Sequence, residues 1–304
     1  FANPAAPSDE ELSAREAWAR RGLAPVVERL LARRPARLLW CPKGPIETVP
    51  PSRLWPGVEV QLVSSPALPA PRRVVRRRST LIVYADPGPG QPGQFLPDSP
   101  RALTRLAGAA APAATQVLAA MGAAYGSAVP QPEGHISWVQ APPSPRSLLE
   151  RQEEHDLIVL VGHGFSDGRS GEMLLLERDG EHVALDGDVL LHRPNALAGA
   201  SVVLLSCFGG RGGGLMHRPG GIVGACLMAG AREVVAPLYA VAFGDAVEVG
   251  VALLRRFVRG DRLSQALADL QPPAAPADGP SVALGPSTIA DDPRRLGSFV
   301  CWVG

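Results

Sequence analysis

Lysine is almost missing from this chain: Lys43 is the single one, and arginine carries nearly all the positive charge. That skew reads as a codon bias of the source and not as a functional signal. Cysteine is scarce too. Cys41, Cys207, Cys226 and Cys301 are the only four, they lie far apart, and no two form a C-x-x-C pair. This excludes a disulfide scaffold and a structural zinc site and favours a reducing, cytoplasmic compartment. Neither sign of charge dominates, with 30 Lys and Arg against 29 Asp and Glu. No general attraction to nucleic acid or to a membrane surface is therefore expected. No apolar run approaches the ~20 residues of a membrane-spanning helix. The first residues also lack the basic-then-apolar layout of a signal peptide.

What is present is a large apolar fraction, 46% of 304 residues, enough for a sizeable core. Residues 1–13 read as a flexible lead-in. Residues 14–78 combine a helical pattern, broken near Pro25, with two short strand-like pieces, "ARLLWCP" and "VEVQLV". Arg72, Arg73, Arg76, Arg77 and Arg78 make a basic cluster before the next strand. No aromatic residue interleaves with it, so a solvated turn is expected there, not a nucleic-acid patch. Residues 79–304 form the main body. "TLIVYADP" precedes an alanine-rich helix expected over roughly 100–125, and "DLIVLVG" precedes a hairpin centred on Asp179-Gly180. "ASVVLLSC", "EVVAPLYAV" and the closing "SFVCWVG" alternate with further helical patterns. Apolar strands alternating with helices imply an α/β fold with a mainly parallel sheet covered on both faces. Chemistry in such sheets sits at the carboxyl ends of the strands.

Two strands end in reactive side chains, "LIVLVG" running into His163-Gly164 and "VVLLS" into Cys207. If the strands are neighbours, imidazole and thiol face each other across one sheet edge. The imidazole then takes the thiol proton, and the N–H groups of Gly164 and Cys207 stand ready to hold an oxyanion. A buried core cysteine and a structural histidine are the plain alternative. Gly164-Phe165-Ser166-Asp167-Gly168 also fits the G-x-S-x-G pattern of serine hydrolases. A nucleophile elbow needs a helix directly after the serine, whereas a glycine-broken, strand-like segment follows Ser166. The loop "GGRGGG" at 209–214 lacks the spacing and the lysine of a phosphate loop. The other histidines show no metal-ligand spacing, and no cofactor is expected.

"HDLIVLVGHG", "GEMLLLERDG", "ALAGASVVLLSCFGG", "GGIVGACLMAGAREVVAPLYAV" and "SFVCWVG", in that order, resemble a CHAT domain. "PARLLWCPKGPIETVPPSRL" resembles the segment that opens such domains. CHAT domains are caspase-like cysteine peptidases of prokaryotes, relatives of caspases and separase. The resemblance implies a three-layer αβα sandwich with an N-terminal helix-and-strand extension. It also implies a Cys–His dyad, with His163 of "GHG" as the acid–base and Cys207 of "LLSC" as the nucleophile.

Around the cysteine this chain departs from the family's "SAC-E-T-G". It has Ser206-Cys207-Phe208-Gly209-Gly210, with Phe208 where the acid stands. "LYAVAFGD" replaces the "LWPVDD"-like segment, with Tyr239 for the tryptophan and Asp245 displaced. The resemblance thus implies an endopeptidase that cuts a specific protein, in defence or regulated cell death, with a separate activator or sensor protein. The altered loop leaves an inactive caspase-like interaction module as the alternative. For the substrate pocket, Asp156, Asp167 and Asp245 suit a basic side chain, whereas Phe165, Phe208 and Tyr239 suit an apolar one.

Overall fold

Leu157–Val161, Ser201–Leu205 and Glu233–Pro237 are buried at every position. Strands with no wet face must pair side by side inside a sheet covered on both sides. In a computed structural model of the chain they do. It describes residues 8–33, 35–42, 49–55, 58–63, 79–86, 99–111, 113–121, 136–139, 148, 150, 155–166, 171–176, 182–185, 190, 196–207, 221–270 and 299–303. The main sheet has nine strands. In spatial order they are β1 (Arg37–Trp40), β2 (Glu59–Val63), β12 (Phe299–Val303), β11 (Glu233–Pro237), β10 (Ser201–Leu205), β6 (Leu157–Val161), β3 (Ser79–Asp86), β4 (Ala114–Met121) and β5 (Ile136–Val139). From β11 to β5 all pairings are parallel, β12 runs antiparallel to β11, and β2 and β1 follow β12 in parallel. A second sheet holds β7 (Gly164–Ser166), β8 (Gly171–Leu176) and β9 (His182–Leu185), all antiparallel.

Strand alternation sends Val203, Leu205, Val159 and Val161 to one face of the main sheet. There they meet α3 (Ser99–Ala110), α5 (Phe243–Val258) and α6 (Leu263–Leu270). Val202, Leu204, Ile158 and Leu160 turn to the other face, against α4 (Gly221–Met228). This is the expected three-layer α/β architecture. A smaller core lies beside β1 and β2, where α1 (Asp9–Ala32) and α2 (Pro51–Leu54) bring Ala19, Leu54 and Trp55 together. Trp40 and Trp55 meet edge to face there, with ring centroids 4.4 Å apart.

Two expectations need correction. The alanine-rich helix stops at Ala110, and residues 114–121 form β4 inside the sheet. Pro112 supplies no N–H to continue a helix. Beyond it, Val117 and Leu118 are fully buried on opposite faces, so tertiary burial outweighs the helix preference of the alanines. Helix α1, opened by a capping box between Ser8 and Glu11, runs unbroken through Pro25. Pro25 and Arg21 are both exposed, so the carbonyl deprived of its helical partner faces water. The hairpin turn expected at Asp179-Gly180 lies outside the described residues, and β8 and β9 pair on either side of it, Leu176 opposite His182.

The extension is fastened to the body by a buried polar network. The Glu59 carboxylate accepts from Gln61 Nε2 at 2.7 Å and Ser264 Oγ at 2.8 Å, and pairs with Arg37 at 3.1 Å. The Glu233 carboxylate accepts from Ser201 Oγ at 2.8 Å, Arg232 at 3.0 Å and the Ser264 N–H at 3.3 Å. Ser264 thus joins two buried carboxylates from opposite ends of the chain. We expect Ser264→Ala to cost about 1–3 kcal/mol of unfolding free energy in urea titrations, because it strips partners from buried polar groups.

Burial pushes the Cys226 thiol up to about 12, and burial with the nearby Glu59 and Glu233 charges raises Cys301 well above the ordinary thiol range. In the unfolded chain these thiols ionise near the ordinary value, so above it the unfolded state binds fewer protons and is favoured as pH rises. Each buried thiol then removes about 1.4 kcal/mol of stability per pH unit. Denaturant titrations between pH 9 and 11 should show this loss, with a slope flatter by one thiol's share in Cys226→Ala.

Candidate active site

β6 and β10 are adjacent and in register, Val161 opposite Leu205, with the Gly162 N–H donating to the Leu205 carbonyl at 3.5 Å. Two residues further along each strand stand His163 and Cys207. They leave the carboxyl edge side by side, each half-buried, behind buried Gly162 and Ser206. The contact between the two segments is closest at Gly164. A methyl carbon built on Gly164 would fall on the Cys207 carbonyl oxygen, 2.8 Å from its nitrogen and 2.9 Å from its carbonyl carbon. Any side chain larger than hydrogen would push the two strand ends apart.

A third strand contributes. After β11 the chain passes through Leu238 and Tyr239, both buried, and the Val241 carbonyl lies 3.7 Å from Cys207 Sγ. Helix α5 begins two residues later, and its first residue, Phe243, packs edge to face on Tyr84 of β3. Gly250 lets α5 lie close on the sheet: a side chain there would meet Leu205 at 2.6 Å and Leu106 at 3.0 Å. Burial raises the Cys207 thiol above its ordinary range, against backbone hydrogen bonding at Val241 and at Cys207 itself. At neutral pH the sulfur is therefore a thiol, and nucleophilic chemistry there requires a neighbouring base.

His163, Gly164 and Cys207 are thus brought together at the carboxyl edge. Tyr239 is buried below that edge in the core on the α4 side, and Asp245 is half-buried in the first turn of α5. Phe165 lies within β7, whereas Asp167 and Phe208 fall outside the described residues. Ser166 is in β7 as well, and the next described element is β8, antiparallel to it. A strand paired back onto its predecessor is not the strand–turn–helix of a serine elbow, which removes the serine-hydrolase reading. Val241 was missed in the sequence because a main-chain carbonyl carries no residue signature. Among the described residues no His, Cys, Asp and Glu cluster is arranged to hold a metal, and no helix is long and apolar enough to cross a membrane.

The CHAT domain family model matches residues 13–290. The chain belongs to the CHAT domain family. This agrees with the family expected from the ordered motifs. No match was found among curated proteins. Among solved structures the chain is similar to Saccharomyces cerevisiae separase in its complex with securin. In the 3.0 Å structure the identity is 15% and the TM-score 0.47, over 84% of this chain and 14% of that one. In the 2.6 Å structure the identity is 15% and the TM-score 0.44, over 85% and 15%. It is also similar to a complex of Porphyromonas gingivalis RgpB pro- and mature domains, at 8% identity and a TM-score of 0.40, over 76% and 49%. This CHAT chain therefore spans about one seventh of the length of the separase chains.

Proposed function

We propose that this CHAT domain is a cysteine endopeptidase in which Cys207 is the nucleophile and His163 the acid–base. The observation that carries the reading is the meeting of two adjacent strand ends, one bearing an imidazole and one a thiol, with Gly164 pressed against the Cys207 backbone. A protein segment binds extended along the carboxyl edge. Cys207 gives its proton to His163 as its sulfur bonds to the scissile carbonyl carbon, and the N–H groups of Gly164 and Cys207 hold the oxyanion. The imidazolium protonates the departing amine as the C–N bond breaks. Water, deprotonated by His163, then displaces the sulfur from the thioester and restores the thiol.

For the residue before the cut, Phe165 and Phe208 support an apolar side chain, and Asp167 and Asp245 a basic one. Tyr239 is buried in the core and Asp156 precedes β6 at the opposite edge of the sheet, so neither lines the site; we favour the apolar preference. The substrate is a specific protein encoded beside this gene, cut in prokaryotic defence or regulated cell death once an activator or sensor protein engages. The test is a cleavage screen against those neighbouring proteins, with wild type beside Cys207→Ala, and a peptidyl acyloxymethyl ketone as a thiol probe. Cleavage and labelling that vanish in Cys207→Ala support the proposal. Absence of both, with every partner present, favours the interaction module suggested by Phe208 in place of the acid.

A further inference from the structure

Helix α4 opens without a local cap. Its first N–H groups, on Gly221, Ile222 and Val223, have no carbonyl one turn back to bond. Ile222 and Val223 are fully buried. The residues leading into them, Arg218-Pro219-Gly220-Gly221, include no Ser, Thr, Asp or Asn to satisfy those donors. The first turn holds no acidic residue either. A second polar group at the same edge is in a similar condition. Ser206, directly before Cys207, is 2% exposed, and its Oγ has no hydrogen-bond partner among the described residues. A buried hydroxyl left unbonded is costly unless something else comes to bond it.

The two features meet. Val202 and Leu204 face α4, so strand alternation turns Ser206 to that side as well. The far end of α4 is tied to the start of β10. There the Leu197 N–H donates to the Ala229 carbonyl at 2.9 Å and the Gly199 N–H to the Gly230 carbonyl at 3.0 Å. Helix and strand therefore run in opposite directions. The eight residues of α4 rise about 12 Å, and a strand advances about 3.3 Å per residue. Gly221 thus stands near the level of Leu204, with the free N–H groups aimed at the level of Ser206. Gly221 and Cys207 are each half-buried and mark the opening to solvent.

We infer that Ser206 Oγ and the N-terminus of α4 form a subsite for a carboxylate side chain of the protein substrate. The inference rests on the peptidase reading and adds a specificity to the same edge. A hydroxyl, several N–H groups and the positive end of a helix dipole converge there, which suits an anion. An amide side chain accepts the same hydrogen bonds but gains less from the dipole, so the subsite selects charge. Cys207 Sγ lies on the other face, by the Val241 carbonyl. An extended peptide sends successive side chains to opposite faces. With an apolar side chain held before the cut, the carboxylate belongs to a neighbour of that residue, the second before the cut or the first after it.

Internally quenched peptides with leucine or arginine before the cut test this. Glu, Gln or Ala is placed at each of the two neighbouring positions. Values of kcat/KM are measured with the full chain and the partner proteins of the cleavage screen present. At one position the Glu peptide should be cleaved at least about tenfold better than the Gln peptide. Ser206→Ala should lower that ratio about tenfold, because one charge-assisted hydrogen bond is lost. General damage cancels in a ratio. The thermal midpoint of the variant should stay or rise, since no described group bonds the hydroxyl it removes. Equal cleavage of Glu and Gln peptides at both positions overturns the inference and leaves the peptidase reading standing. A ratio that survives Ser206→Ala, or a lowered midpoint, overturns it too. Cleavage of no peptide at all overturns the peptidase reading and this inference with it.

Discussion

Cys207→Ala is expected to lower kcat/KM for peptide cleavage by at least about 10⁴-fold, the scale on which removal of a nucleophile acts. The fold should be untouched, because the thiol is half-buried and donates only weakly, to the Val241 carbonyl at 3.7 Å. His163→Ala should fall nearly as far, and the double variant no further, since the two residues act as a unit. Alkylation separates the roles. Burial holds the Cys207 thiol above the ordinary range, so its reaction with iodoacetamide should be slow at neutral pH and climb with pH beyond the range of a free thiol. Rapid alkylation at neutral pH, unchanged in His163→Ala, would contradict a thiol that depends on a neighbouring base.

Gly164→Ala should also damage activity, less than loss of the nucleophile, and for a steric reason. The added methyl has no room: it lands on the main chain of Cys207, and main chain cannot rotate aside as a side-chain end can. Either the loop bearing His163 or the strand end bearing Cys207 must shift. A displacement near 1 Å between reacting groups costs about 10²-fold in rate, and the overpacking should cost about 1–3 kcal/mol of stability. Gly108→Ala is the control, because a side chain there meets nothing within 4 Å. In the last turn of α3 it should raise stability by up to about 1 kcal/mol and leave kcat/KM alone. Equal effects of the two substitutions would remove the special status of Gly164.

The strands that bear the site were readable because burial on both faces leaves little freedom in composition. "LIVLV", "SVVLL" and "EVVAP" have no polar alternation to misread, and the reactive residues lie directly after two of them. The ordered motifs carried the family as well. Where composition and tertiary context disagreed, local reading failed. The alanines of 114–121 favour a helix in isolation, but the gap between β3 and β5 takes a strand. Pro25 signalled a break, yet an exposed turn tolerates the missing hydrogen bond by giving its carbonyl to water.

Residue order alone therefore pointed to His163 and Cys207 as the candidate site and placed each of them at a strand end. It did not settle that these ends touch. Three strands of the small sheet lie between β6 and β10 in the chain, and pairing of β10 with β6 is a choice made by the sheet as a whole. The approach of the Val241 carbonyl to the sulfur and the fit of Gly164 on the Cys207 backbone belong to the same level. Both depend on main-chain atoms from distant segments, whose positions follow from packing and register, while a sequence records only side chains.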